Sequence, residues 1–255
     1  DSGRNCRDGF RSLGRFMSKQ TKVMVGVLGC GRLGSAISAA LRSSGEPFCQ
    51  LDSRKVDSWS GLDCDVVINS ASAEVTDSAA EYCASVGAAL IDCTGAEIGQ
   101  GYPNTVRLAQ RLPVVCAPNL SYSHHLQLEA VRLVSESIEG AVAHGLVNKP
   151  SVSVRDRHPI WKSTAPSATA VRLVAAVGEG NAELDTSITV SRRGGPVADH
   201  GFDVDWDYES LRITQTVESL EVSARTAVWL TKHVPHLCAG IYQLTDLLAE
   251  LRFEF

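Results

Sequence analysis

The stretch Val23-Met24-Val25-Gly26-Val27-Leu28-Gly29-Cys30-Gly31-Arg32-Leu33-Gly34 decides the fold. Its first half is a short apolar run of the kind that forms a strand buried on both faces of a parallel sheet. Its second half is an unbroken G-x-G-x-x-G. From Arg32 to Ser44 the residues Leu33, Ala36, Ile37, Ala40 and Leu41 fall on one helical face. In this strand–turn–helix setting the glycines permit a tight turn and let the backbone approach a pyrophosphate held at the helix N-terminus. Gly29, Cys30, Gly31, Arg32, Leu33 and Gly34 are therefore the candidate dinucleotide-binding loop.

The pattern repeats downstream. Phe48–Leu51, Asp65–Asn69, Ala88–Asp92 and Pro113–Ala117 read as strands, with an Ala-rich helix around Ser78–Ser85. Strands alternating with helices of about a dozen residues describe an α/β, doubly wound parallel sheet. After Asn119 the texture changes. Leu126–Ile138 and Ala168–Val177 read as amphipathic helices, and Val152–Val154, Ser187–Val190 and Leu211–Thr216 as strands with hairpin-like spacing. This part reads as a second, α+β domain. Thr226–Trp229 and Ile241–Leu251 read as closing helices.

Composition bounds the function. The 255 residues are 44% hydrophobic and 21% charged, enough apolar material for a buried core. With 24 Lys+Arg against 29 Asp+Glu the net charge is -5, the wrong sign for a nucleic-acid-binding surface. No run approaches the length of an apolar membrane span. The eight cysteines include no C-x-x-C pair and no zinc-type Cys/His spacing, so free thiols and no metal are expected, in the cytoplasm or an organelle stroma. Residues 1–20 carry Arg4, Arg7, Arg11 and Arg15 without apolar periodicity. They read as a disordered, leader-derived tail before Met17, with Asp1 and Asp8 unlike a transit peptide.

The acidic residue expected about 20 positions after the glycine loop is Asp52, placed to bind an adenosine ribose diol. Ser53, Arg54 and Lys55 follow at once, and cations there suit a 2′-phosphate. NADPH and NADH both fit, with a slight lean to NADPH.

The stretch Arg155-Asp156-Arg157-His158-Pro159-Ile160-Trp161-Lys162-Ser163-Thr164-Ala165-Pro166-Ser167-Ala168-Thr169 is the second informative segment. It offers two proton donors, His158 and Lys162, just before a helix N-terminus. The N–H groups of that terminus, with the Ser167 and Thr169 hydroxyls, are expected to hold a carboxylate. A small anionic substrate and a proton-coupled reduction follow from such a site.

With Gly31–Gly34, Cys93-Thr94-Gly95, Ala117–Ser121, His158, Lys162, Ala165–Ser167, Arg192-Arg193-Gly194, Asp199-His200, Ala227–Leu230 and Gly240–Tyr242 in this order, the sequence resembles the dihydrodipicolinate reductase family from about Val23 to Leu251. The resemblance implies a Rossmann domain over 21–121 and 235–255, and a mixed-sheet domain over 122–234 that binds substrate and builds a homotetramer. It implies His158 as acid/base, Lys162 as proton donor and substrate ligand, and Ser167, Ala168 and Thr169 as the carboxylate site. Thr94 would face that site, and Ser70, Asp92, Cys93, Thr94, Pro118, Asn119, Leu120 and Ser121 would line the nicotinamide half of the cofactor.

The departures from the family pattern are Pro159 for the second histidine of a His-His pair, Trp161 for a histidine, Thr164 for an aspartate and Ala168 for a glycine. Either an ordinary reductase or a diverged paralogue with another small substrate is compatible with them. A non-catalytic nicotinamide sensor would not need both His158 and Lys162. His124-His125 is expected at a helix start, in a capping or surface role. His200 is expected in a structural pair with Asp199, and Asp203, Asp205 and Asp207 as carboxylates of a solvated turn.

Overall fold

The computed structural model describes residues 22–95, 98, 101–195 and 197–251. The expected tail over 1–20 lies outside the described residues. The chain divides into two compact units, residues 1–120 with 221–255, and residues 121–220.

The first unit is built on a six-stranded parallel sheet in the order β10-β5-β4-β3-β1-β2. Its strands are β1 (Val25–Leu28), β2 (Phe48–Leu51), β3 (Val66–Asn69), β4 (Ala89–Asp92), β5 (Pro113–Cys116) and β10 (Gly240–Gln243). Helices α1 (Arg32–Ser44), α2 (Thr76–Val86), α3 (Pro103–Ala109), α6 (Glu221–His233) and α7 (Leu244–Glu250) complete it. β1, β3, β4 and β5 are buried along their whole length, which is why they read as continuous apolar runs. Two cores cover the two faces. Ile37, Leu41, Ala227, Leu230 and Leu247 pack on one, and Trp59, Tyr82, Cys83 and Leu108 on the other.

Two sequence expectations change here, and one helix is new. Ile241–Leu251 is a strand followed by a helix, because Gly240–Gln243 pairs in parallel with Pro113–Cys116 and closes the sheet edge. α3 went unread, its seven residues being too few to show a period. The boundary near residue 234 moves to Glu221, since Ala224, Ala227 and Leu230 of α6 bury themselves against the α1 side of the parallel sheet.

The second unit has helices α4 (Tyr122–Ala143) and α5 (Ala168–Gly180) and a four-stranded sheet, β7-β6-β8-β9. The strands are β6 (Ser151–His158), β7 (Thr186–Arg192), β8 (Ala198–Asp205) and β9 (Ser210–Val217). β6 and β7 are parallel, joined through α5, while β8 is antiparallel to both β6 and β9. Among the described strands only β8–β9 is a hairpin, and β8 was not an expected strand; the three expected strands, in β6, β7 and β9, form no hairpin with one another.

Strand alternation sorts the second unit's polar residues. On β6 and β8 the inner face carries Val152, Val154, Phe202 and Val204, which join Leu128, Leu173 and Val177 in the core. The outer face carries an ion-pair ladder: Arg157 to Asp199 at 2.6 Å, Arg155 to Asp203 and Arg212 to Asp205, both at 2.5 Å. Asp203 and Asp205 are therefore strand residues, not turn carboxylates, and Asp203 is buried. Apolar neighbours on alternate positions, and not a turn, set that every-other-residue spacing of acids.

Seven of the eight cysteines are described and all are free thiols; Cys6 lies outside the described residues. Among the described residues no helix is long and apolar enough to cross a membrane.

Candidate active site

The cofactor loop is assembled at the carboxyl ends of the parallel strands. β1 sits between β2 and β3, so the chain reverses direction around it, and such a reversal opens a crevice for ligands. Each glycine of the loop has a separate cause. Gly29 is left-handed (φ 103°), and a Cβ there would lie 2.9 Å from the Ala71 backbone. A Cβ on Gly34 would lie 2.0 Å from the Gly29 carbonyl oxygen. Gly31, by contrast, has nothing within 4 Å of its missing Cβ. The first and third glycines serve packing; the second keeps a bare backbone beside open space. The α1 N-terminus has no side-chain cap and no acidic residue in its first turn, so nothing built into the helix competes for an incoming phosphate.

Neighbouring side chains hold the loop. Gln50 donates from Nε2 to the Val27 carbonyl at 2.7 Å and to the Gly29 carbonyl at 2.9 Å. Ser70 donates its N–H and hydroxyl to the Leu28 carbonyl, at 2.9 and 2.8 Å. Cys30 and Arg32 are exposed and Leu33 half-buried on the first turn of α1. At the end of β2, the exposed Asp52 accepts from the Arg54 N–H at 3.0 Å, and Arg54 and Lys55 are exposed beside it. The acid for a ribose and the cations for a 2′-phosphate thus share one strand end.

The remaining strand ends differ in what they present. Asp92 is buried; it accepts from Asn69 Nδ2 at 3.0 Å, Thr76 Oγ1 at 2.8 Å and Thr94 Oγ1 at 2.7 Å. It therefore acts by fixing Thr94. Burial pushes the neighbouring Cys93 thiol up, so it stays protonated. Leu120 points into the core, while Pro118 and Asn119 stay half-buried. Ser121 opens α4, its hydroxyl 2.9 Å from that of Ser123 and 3.2 Å from Gln215 Nε2.

In the second unit the expected donors lie where β6 runs into the loop before α5. Asp156 and His158, two apart on a strand, share its inner face with the core valines. The Asp156 carboxylate accepts from the Ser167 N–H at 2.9 Å and the Ser167 hydroxyl at 2.8 Å. The hydroxyl is on Oδ1, while Oδ2, which takes the N–H, also accepts from the Arg192 guanidinium at 3.2 Å. Burial alone would raise this carboxyl, but the two Ser167 bonds and Arg192 outweigh it and hold it below the usual carboxylate range. Arg192 also donates to the Lys162 carbonyl at 3.1 Å and the Thr164 carbonyl at 2.6 Å, tying the 159–166 loop to the strand. Asp156 was given no role from sequence, although D-x-H at strand spacing was the available signal, and Arg192 entered only as part of a motif of the resemblance.

Lys162 is half-buried on this loop, and among the described residues its ammonium has no ion pair or hydrogen bond. Ile160 and Trp161 beside it are exposed. Ser167 differs from expectation: its hydroxyl caps α5 by accepting from the Ala170 N–H at 3.2 Å and serves Asp156, so it is already committed within the protein. Ala168 is exposed and Thr169 half-buried on the first turn of α5.

Two histidine expectations are corrected. His200 faces inward and meets Asp156 Oδ1 at 3.4 Å and His158 Nε2 at 3.2 Å, while Asp199 turns outward to Arg157. Adjacent strand residues point to opposite faces and cannot pair. His124 and His125 are buried, not surface caps. Burial, with His200 nearby, lowers His124 to about 4. Asp156, His158 and His200 also form a possible three-ligand metal set, their donor atoms within 4.8 Å of one another. Sequence spacing did not show it because β6 and β8 bring the residues together from distant positions.

No family model matches the chain. It is 29% identical over 203 residues to 4-hydroxy-tetrahydrodipicolinate reductase of Anaeromyxobacter dehalogenans (strain 2CP-C), covering 72% of each chain. It is 31% identical over 130 residues to the enzyme of that name from Myxococcus xanthus (strain DK1622), covering 51% of this chain and 45% of the relative. The solved dipicolinate-bound dihydrodipicolinate reductase from Paenisporosarcina sp. TG-14 shares the fold, with a TM-score of 0.64 at 14% identity, over 89% of this chain and all of that one. The glycine loop on its parallel sheet and these relatives define an NAD(P)-dependent oxidoreductase. Within that class, the chain is similar in sequence to the 4-hydroxy-tetrahydrodipicolinate reductases.

Proposed function

We propose that the protein reduces a small carboxylated cyclic imine or enamine, 4-hydroxy-tetrahydrodipicolinate or a close analogue, with NADPH preferred to NADH. A reduced nicotinamide dinucleotide supplies the hydride when bound. Gly31 and the α1 N-terminus would hold its pyrophosphate, and Arg54 and Lys55 a 2′-phosphate. The single observation that carries the reading is the loop between β6 and α5. Lys162 rides on it without an ion pair among the described residues, while Arg192 and Asp156 fix its two ends.

On this reading Lys162 supplies the proton that balances hydride addition, and His158 maintains proton supply behind it. The first turn of α5, with Ala168 and Thr169, receives the substrate carboxylate. Assembly as a homotetramer through the second unit is part of the same proposal. Pro159 and Ala168 favour a substrate that does not need the family's full diacid contacts, which leaves a paralogue as the second reading. The test is oxidation of NADPH by the purified protein on addition of 4-hydroxy-tetrahydrodipicolinate, followed by absorbance. Rapid turnover supports the first substrate; cofactor binding without turnover of it supports the second.

A further inference from the structure

We infer that His158 and His200 form one proton-holding unit, taking a single proton between their Nε2 atoms against Asp156, with His200 as the positioning residue for His158. The hydrogen-bond pattern carries this. His158 Nδ1 lies 3.1 Å from the Val197 carbonyl, a group that can only accept, so Nδ1 carries a proton. His200 Nδ1 likewise faces Gln215 Oε1 at 3.4 Å. If both rings were neutral, both Nε2 atoms would be bare lone pairs. Yet these atoms lie 3.2 Å from each other, and 3.1 and 3.4 Å from Asp156 Oδ1. The Ser167 hydroxyl lies 2.8 Å from Asp156 Oδ1 and 3.2 Å from His200 Nε2 but has one proton to give, so the remaining lone pairs repel unless a further proton sits among them.

One proton satisfies every group. Placed on His158 Nε2, it is shared between Asp156 Oδ1 and the His200 lone pair, while the Ser167 hydroxyl serves Asp156. A second proton would set two imidazolium rings against each other inside the sheet. A divalent cation fits less well. The Asp156 carboxylate is already engaged by two Ser167 donors and Arg192, and its charge is cancelled by that guanidinium. A dication on two neutral imidazoles would therefore bury two uncompensated charges, where a proton buries one. The other charged or titratable groups facing the pair are Lys162 and Arg192, which oppose protonation of His158, Asp199, which favours that of His200, and His124 from α4. Burial lowers both rings, and Asp156 opposes this.

The inference rests on the proposed function only for its activity arm; ring titration needs no substrate. The test follows the histidine ring nitrogens by NMR from about pH 4 to 8, the range of imidazole titration. In the unmodified protein the two rings should show one common midpoint and one proton taken up. In His200→Phe the remaining ring should lose its proton about one pH unit lower, a tenfold change in protonated fraction. His200→Gln, which restores an acceptor, should recover part of that shift. The alkaline limb of the activity profile should move with the NMR midpoint. Two independent midpoints in the unmodified protein would overturn the inference, as would an unchanged His158 in either variant. Stoichiometric zinc in the purified protein would also overturn it, if chelation then altered the titration. Should His200→Phe fail to fold, titration of the unmodified protein decides alone.

Discussion

The Asp156 carboxylate occupies the N-terminus of α5, accepting both the N–H and the hydroxyl of Ser167. Helix N-termini attract anions, and here the anion is supplied by a neighbouring strand of the same unit. The arrangement ties strand, loop and helix together at the segment that carries Lys162. It also explains why the Ser167 hydroxyl is not offered to a substrate.

Ser167→Ala removes the cap on Ala170 and one bond to Asp156 together. The cost should be about 1–2 kcal/mol at neutral pH, at the upper end of an N-cap loss. Ser167→Thr should keep most of it. Urea unfolding midpoints measure both. The pH dependence follows from the lowered Asp156 carboxyl. Its contribution is complete above the unfolded value, about 4, and is lost as pH falls through the lower native value. The stability gap between the protein and Asp156→Asn should therefore be widest near neutrality and close on strong acidification.

The glycine loop separates folding from binding. Gly34→Ala drives a methyl into the Gly29 carbonyl and should destabilise the first unit by about 1–3 kcal/mol or more, as overpacking does. Gly31→Ala meets no protein atom and its φ is -68°, so thermal stability should hardly change. Its methyl would instead enter the space for the pyrophosphate, and cofactor affinity, read by fluorescence titration, should fall at least tenfold. Equal stability losses in the two variants would refute this division.

Cofactor choice is tested at the end of β2. Replacing both Arg54 and Lys55 with Ala should weaken NADPH by about 1.5–3 kcal/mol, the range for hydrogen bonds to charged groups. NADH should hardly change. Equal losses for both would remove the two cations from 2′-phosphate recognition.

Lys162→Ala should leave cofactor affinity nearly intact while lowering turnover by about 10²–10⁴, the scale of a lost general acid. Single-turnover measurements with saturating cofactor separate the two. Full activity in this variant would take Lys162 out of the chemistry.

The parts of the protein visible in the sequence are those whose cause is local. The Val23–Leu28 run, the glycine turn and the Arg32–Ser44 helix follow from apolar runs, glycines and helical period; the structure has the helix at those bounds and the strand over Val25–Leu28. Ala198–Asp205 was not legible as a strand because its acids alternate with core residues, and only the partners Arg155, Arg157 and Arg212 make that pattern an ion-pair ladder on the outer face of the sheet. The β10 strand was hidden for a similar reason: four residues are apolar enough for either state, and pairing with β5 decides. At the site, His158 and Lys162 were legible as a spaced pair. Asp156, Arg192 and His200 were not, because strand register brings them together from three separate segments.

The altered substrate end gives the last test. Pro159 follows His158 at the end of β6, where the family resemblance places a second histidine, and proline has neither a side-chain donor nor an N–H. Ala168 is the first residue of α5 and exposed, so its methyl stands on the turn proposed to receive a carboxylate. Losing one hydrogen bond to a charged group is worth about 1.5–3 kcal/mol. Pyridine-2,6-dicarboxylate, a planar diacid, should therefore bind this protein poorly. The paired change Pro159→His with Ala168→Gly should restore binding by roughly tenfold or more, since 1.4 kcal/mol is a factor of ten. Ala168→Gly alone should slightly weaken α5, because glycine costs about 1 kcal/mol against alanine inside a helix and somewhat less at its first turn. Any gain in affinity is thus seen against a small stability loss and is not a by-product of firmer folding. Calorimetric titration of the unmodified and doubly changed proteins measures the difference. Tight binding by the unmodified protein would mean that Pro159 and Ala168 are neutral to the diacid, and would remove the case for a different substrate.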